Sequence, residues 1–446
     1  MHSTAIGPLT HGRVLKIALP IVLSNATIPI LGAVDTGVVG QMGLAAPIGA
    51  VGIGAVVLSS LYWIFGFLRM GTTGLVAQAR GAGDMGETGA LLMRALMIGV
   101  AAGVTFIIFQ AVLFWLAFRL APASDEVEAL AKTYLEIRIW GAPATIALYA
   151  VTGWLIATER TRGVLVLQLW MNGLNIALDL WFVLGLGWGV SGVAIATLIA
   201  EWTGLGLGIF LCRPAFSGGQ WLDFKRILDR AKLKIMMSVN GDIMVRSVIL
   251  QASILTFLFM GARFGDVTLA ANQVILQFLE ITAFALDGFA FAAEALVGAA
   301  MGAGRRDDLR RAAILTSKWG VSMALPLAAF FWFAGPSLID LMSTAPDVRQ
   351  VAKLYLPWVA LMPILGIAAW MFDGIFIGAT RTRDLRNAMI ISGLVYFAAI
   401  FLLVGPFGNK GLWMALIILQ IVRAMTLGYY YPRLEAAADH NSAVRQ

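Results

Sequence analysis

Apolar stretches long enough to cross a bilayer recur along this chain, separated by short polar connections. Twelve can be read, near 14–40, 48–79, 90–118, 127–157, 163–187, 190–212, 235–262, 268–302, 310–342, 347–379, 386–405 and 410–431. A helix of about twenty apolar residues spans the hydrocarbon core. The pattern therefore predicts an all-α polytopic membrane protein with about twelve transmembrane helices.

Polar residues inside these stretches fall at helical spacing. In the fifth, Gln168, Asn172, Asn175 and Asp179 recur at i, i+4, i+7 and i+11, one face of a helix otherwise covered by Leu, Ile, Val and Trp. The sixth carries Thr197 and Glu201 one turn apart, and the first aligns Asn25, Gly32 and Asp35. No Lys or Arg lies between Lys16 and Arg69, so Asp35 has no basic residue near it in sequence. An ionised group in hydrocarbon is costly and persists mainly where it lines a cavity or relays ions. Pro20 and Pro29 each remove a backbone donor from the first helix and make it bendable. Carboxylates with amide and hydroxyl oxygens suit either a shared proton or a hard cation such as Na⁺. Asn and Thr also serve simply as interhelical glue, the alternative for these positions.

The eighth stretch carries a different stripe: Gln273, Gln277, Glu280, Phe284, Asp287, Phe291 and Glu294. A wall of acids and rings is what a lipophilic cation needs, through Coulomb attraction and cation–π contact. Asp373, in MFDGIFIGATRTR, is a candidate for the same wall. The alternative is internal neutralisation, by Arg69 or by Arg246 in an i, i+4 pair with Asp242.

Composition agrees: of 446 residues 60% are hydrophobic and 13% charged, about half the charged share of soluble domains. The net charge of +7 is topological and does not signal nucleic acid. Arg13, Arg80, Arg160, Lys225, Arg305 and Arg381 fall in alternate connections, while the others carry Asp125, Glu126, Glu128 and Asp347. By the positive-inside rule both termini and the basic loops face the cytoplasm; the expected localisation is a bacterial inner (plasma) membrane. Cys212 is the only cysteine, so there is no disulfide framework. All three histidines lie near the ends, which removes the usual base and metal ligand from the spans. No Walker A sequence is present, and no cleavable signal is expected.

The chain also repeats. LVAQARGAGD at 75–84 matches LVGAAMGAGR at 296–305, an offset of 221. That offset also pairs Tyr134-Leu135 with Tyr355-Leu356, Gly153 with Gly374, and Arg160-Thr161-Arg162 with Arg381-Thr382-Arg383. Six spans per half give parallel repeats related by an axis along the membrane normal, a transporter architecture. The expected division is a lobe at 1–212, a cytoplasmic linker at 213–232, a second lobe at 233–432 and a tail at 433–446.

LPIVLSNATIPILGAVDTGVVG, MNGLNIALDLWFVLGLGWGVSGVAIATLIAEW, ALDGFAFAAEALVG and FDGIFIGATRTRDLRNAM together resemble the MATE (multidrug and toxic compound extrusion) family, most closely its DinF branch. The resemblance covers nearly the whole chain. It implies a V-shaped pair of six-helix bundles exporting lipophilic, mainly cationic compounds by antiport with H⁺ or Na⁺. It also implies cation-site roles for Asp35, Asn175, Asp179 and Thr197, and bending of the first helix at Pro20. Asn172 and Glu201 join the expected coupling set; Glu280, Asp287, Phe284, Phe291, Asp373 and Gln277 form the expected substrate wall. No cofactor is expected beyond the coupling ion, and a monomer is expected. Two alternatives remain: a lipid-linked precursor flippase, which would need a cationic chamber, and a membrane enzyme, which lacks a histidine within the spans.

Overall fold

The computed structural model describes residues 7–41, 45–120, 124–217 and 220–443. The described elements are helical, and each apolar stretch of the sequence falls in a helix or helix pair. These are α1 (His11–Gly40), α2 (Ala46–Gly81, broken at residues 64–65), α3 (Met85–Ile108), α4 (Asp125–Ala157), α5 (Thr161–Gly185) and α6 (Gly189–Leu211). The second half follows with α7 (Arg230–Ala262), α8 (Asp266–Gly302), α9 (Arg306–Met342), α10 (Pro346–Ala360 and Met362–Gly378, bent by 46°), α11 (Thr382–Phe407) and α12 (Asn409–Asp439). Among the described residues ten of these are single helices long and apolar enough to cross a membrane, eleven counting the bent pair. At 30 residues α1 is about 45 Å long, enough to reach across. Large apolar side chains such as Phe333, Leu341 and Phe401 stand more than four-fifths exposed, as a lipid-facing surface requires.

The repeat is written into the backbone. Of the described non-glycine residues, Glu159 (φ 59°) and Thr380 (φ 50°) adopt the left-handed conformation, and they are 221 positions apart. Gly83 and Gly304, and Gly187 and Gly408, show the same offset at positive φ. Packing repeats too: a Cβ on Gly153 would lie 2.5 Å from the Arg69 carbonyl oxygen, and one on Gly374 would lie 2.3 Å from that of Ala290. Equivalent helix crossings are thus held at backbone contact in both halves, a distance that only glycine permits.

Contacts gather into two compact units. One comprises Met1–Val22, Ala77–Gly83 and Met237–Gln446; the other comprises Leu23–Val76 and Asp84–Met236. Helix α1 passes from the first to the second at Val22–Leu23, just beyond Pro20. In the first unit, α7 to α12 together enclose an aromatic core. There Phe257 meets Trp413 edge-on at 4.7 Å and Phe278 meets Phe331 at 5.0 Å. Asn272 and Asn409 exchange amide hydrogen bonds within that core, and Trp413 Nε1 donates to Asn272 Oδ1 at 3.1 Å.

In the second unit α4 is the most enclosed span, packed on α2, α3 and α6. The connection after α6 is pinned rather than loose. Buried Arg94 on α3 donates to the carbonyls of Ile227 (2.7 Å) and Arg226 (2.5 Å) and pairs with Glu87 at 2.6 Å. Glu87 also receives Lys232 Nζ at 2.5 Å. Asp84 caps α3 by accepting the Glu87 N–H at 3.0 Å, which fixes the turn that carries Glu87.

Candidate functional site

The polar stripe of α5 closes onto two neighbouring helices within the second unit. Asn172, Asn175 and Asp179 are all buried, Asp179 completely, although they sit in a helix otherwise dressed for lipid. Gln168 Nε2 donates to Asn172 Oδ1 at 2.9 Å, and Asn172 Nδ2 passes the chain to Thr27 Oγ1 on α1, also at 2.9 Å. Thr27 in turn donates to the Ser24 carbonyl at 2.7 Å. One turn along, Asn175 Nδ2 donates to Thr197 Oγ1 on α6 at 3.1 Å, and Thr197 donates to the Val193 carbonyl at 3.0 Å. The spacing in α5 thus builds a ladder of amides and hydroxyls across three helices. Asp179 ends the α-helical part of α5, and a π-helical turn, Leu180–Gly185, begins at the next residue. Such turns are frequent at functional sites because they re-aim the side chains beside them.

Asp35 lies on the helical backbone of α1, but its side chain lies outside the described residues. Pro20 is buried inside α1, which runs unbroken from His11 to Gly40 although the ring leaves the Lys16 carbonyl without its helical donor. Among the described residues no group of three His, Cys, Asp or Glu is placed to hold a metal ion.

Glu201 is differently engaged. Arg138 on α4 grips it with both terminal nitrogens, at 2.6 and 2.9 Å, and both side chains are buried. Gly141 makes room for this fork: a Cβ there would lie 2.1 Å from Glu201 Oε2. A bidentate arginine pair is a strong, directional contact, so the acid one turn beyond Thr197 is matched by its own cation.

In the first unit, the α8 stripe runs from the exposed Gln273, Gln277 and Glu280 through the half-buried Phe284, Asp287 and Phe291 to the fully enclosed Glu294. Asp373 on α10 is instead buried between two arginines. Arg246 on α7 and Arg423 on α12 both donate to its Oδ2, the latter at 2.8 Å, and Arg423 also donates to Gln420 at 3.0 Å. The suggested Asp242–Arg246 pair does not form. Asp242 accepts from Arg386 at 2.7 Å and from Thr382 at 3.0 Å, because α11 presents both to it while Arg246 is drawn to Asp373. Neither Arg138 nor Arg423 belongs to the polar stripes of the spans, yet each holds a buried acid. The signal for Arg423 was present, a lone arginine within an apolar run; Arg138 carries no local signal, since its partner is 63 residues away.

Comparison with known proteins follows the same outline. The MatE family model matches residues 20–181 and again 243–404, once in each half. DNA damage-inducible protein F of Escherichia coli (strain K12) is 36% identical over 426 residues, 94% of this chain and 91% of its own length. A probable multidrug resistance protein NorM of Pseudomonas aeruginosa is 25% identical over 433 residues, covering 90% and 85%. Among solved structures, the Vibrio cholerae MATE transporter VcmN matches with a TM-score of 0.87 at 19% identity, over 95% of this chain and 96% of that one. An outward-facing multidrug resistance MATE family transporter of the MOP superfamily gives 0.83 at 20% identity over 96% of each chain. At such identities the structural matches speak to the fold.

Proposed function

We propose that this chain, a multi-pass membrane protein that belongs to the MatE family of transporters, exports lipophilic, chiefly cationic compounds in exchange for protons by alternating access. The observation that carries the reading is the amide–hydroxyl ladder on the face of α5 that also carries fully buried Asp179, in a helix whose other faces are apolar. Asp35 and Asp179 are the protonatable pair, and Asn172, Asn175 and Thr197 are the groups that orient them. Pro20 supplies the bend in α1. The lobes are 1–212 and 233–432, joined by the 213–232 linker, with both termini in the cytoplasm and the protein in the inner membrane.

The ladder favours H⁺ over Na⁺. Asn172 Oδ1 already accepts from Gln168, and Thr197 Oγ1 both accepts from Asn175 and donates to Val193. A Na⁺ ion would draw on those same oxygens, whereas a proton needs only a carboxylate. A lipid-linked anionic substrate would call for cations turned toward it, yet Arg246 and Arg423 are both turned onto Asp373. Dye efflux from proteoliposomes under a pH gradient alone, and under a Na⁺ gradient alone, tests the reading. Efflux driven by pH and lost in Asp35→Asn and Asp179→Asn supports it; efflux driven only by Na⁺ replaces H⁺ with Na⁺ in the same site.

A further inference from the structure

A groove of about 710 Å³ opens on the first unit where the beginning of α1, the early turns of α9, the second part of α10 and the end of α12 converge. His11, Ile314, Trp319, Phe372 and Tyr431 line it, and Lys318 stands on its wall. The space is within the range of small-ligand sites, and its surface is mainly apolar. None of the coupling or substrate-wall residues discussed above belongs to it.

Its depth in the membrane follows from α9. Trp319–Ile339 contains no Lys, Arg, Asp or Glu, and its 21 residues make a helix of about 31 Å, the thickness of the hydrocarbon core. Lys318 is the residue just before this run and Asp340 the residue just after it. Lys318 therefore sits at the boundary between acyl chains and headgroups. Trp319 and Tyr431 are residue types suited to that level. Trp319 is fixed in place, with its Nε1 donating to His11 Nδ1 at 3.1 Å.

The cations near the groove fall into two kinds. Arg306 is matched by Asp439 at 3.0 Å and by Glu435 at 3.5 Å, and Arg310 approaches Glu435 at 3.7 Å. Lys318 is exposed, and among the described residues it has no ion-pair partner; the same holds for Arg311, seven residues earlier on the same helical face. Exposed Ile314 lies between them on that face. Unmatched Lys318 on the wall of an apolar channel at headgroup depth, with unmatched Arg311 about 10 Å nearer the helix start on the same face, complements a chain-bearing anion. A zwitterionic lipid brings its own cation to the same place, and a cationic substrate would be repelled by Lys318.

We propose that this groove binds an anionic phospholipid from the leaflet on the side of α9's first residue, with its phosphate at Lys318 and Arg311 and an acyl chain along Ile314 and Phe372. The inference rests on the membrane reading alone and not on the identity of the coupled ion, since lipid binding is read without transport.

The test is native mass spectrometry of the full chain in detergent, titrated with phosphatidylglycerol or with phosphatidylcholine of the same chains. Wild type should hold phosphatidylglycerol at least about fivefold more tightly, and Lys318→Gln should lose about that factor for phosphatidylglycerol only, as expected for one basic residue at a lipid surface. Lys318→Arg should keep the preference, and Ile314→Trp, which fills the groove, should weaken both lipids. Glycerol 3-phosphate at matching concentration should displace neither. Equal affinity for the two lipids, an unchanged Lys318→Gln, or displacement by glycerol 3-phosphate overturns the proposal. Lys318 holds no partner, so this variant should unfold at the wild-type temperature, and the comparison is between folded proteins.

Discussion

Gly81 and Gly302 hold equivalent positions 221 residues apart, and each closes on the segment that carries the other. A Cβ on Gly81 would lie 1.9 Å from the Ala299 carbonyl oxygen, and one on Gly302 would lie 2.0 Å from that of Gln78. Gln78 and Ala299 are themselves equivalent by the same offset. The contact is reciprocal, as an isologous contact about a local two-fold axis must be. Gln78 secures it further by donating to Thr380 Oγ1 at 2.8 Å.

The first prediction concerns this contact. Gly81→Val and Gly302→Val each force backbone apart, at a cost of about 1–3 kcal/mol or more. Both should lower the unfolding temperature in detergent by similar amounts, whereas Gly206→Val, with nothing within 4 Å of an added Cβ, should not. A wild-type transition for Gly81→Val would show that the helices are not held at backbone contact.

The second separates Glu201 from the amide ladder. Glu201→Gln leaves Arg138 buried with its charge unmatched, and breaking such a pair costs about 3–5 kcal/mol. Its yield and unfolding temperature should fall, and Arg138→Met/Glu201→Leu should restore much of both, because the double variant removes both charges together. A Glu201→Gln protein that is fully stable but uncoupled from the pH gradient would return Glu201 to the coupling set.

What could be read from sequence divides along physical lines. The spans, the offset of 221 and the α5 face all depend on local periodicity or self-similarity, and each has a counterpart in the structure: the helices, the shared φ values at Glu159 and Thr380, and the Asn172 and Asn175 hydrogen bonds. Charge pairing in the interior was not legible in this way. Spacing made Asp242 and Arg246 neighbours on one helix, but in the fold Arg386 and Asp373 compete for them from other helices and win. An i, i+4 pair is worth a few tenths of a kcal/mol on a helix surface, little against the desolvated, multiply bonded alternatives. For the α8 stripe the sequence gives the order of acids and rings, and the structure adds the gradient of burial from Gln277 to Glu294.

The third prediction follows from the unequal charge count around Asp373. Arg246, Arg423 and Asp373 together carry one excess positive charge. Asp373→Asn leaves two buried guanidiniums facing an amide, whereas Arg423→Gln leaves one matched pair. Asp373→Asn should therefore be the less stable, by about 3 kcal/mol in a thermal or denaturant comparison. The reverse order, or a stable Asp373→Asn that changes only substrate preference, would place Asp373 in the substrate wall after all.

The last prediction concerns two acids on α8, Glu280 and Asp287. Glu280 is exposed and Asp287 half-buried, with Phe284 about one turn from each, so a flat cation placed there could meet both charge and ring. If the two halves divide the work, acids on α5 and α1 set the driving ion and acids on α8 set what is exported. Asp287→Asn should then raise the apparent KM for cationic substrates several-fold and leave neutral ones nearly unchanged, since it removes an attraction that only charged ligands feel. Glu280→Gln should act in the same direction but more weakly, because an exposed carboxylate is better screened. The measurement is efflux of a matched cationic and neutral panel at a fixed pH gradient. Equal loss across the panel would mean that these acids serve coupling or helix packing, and the division of labour between the halves would have to be given up.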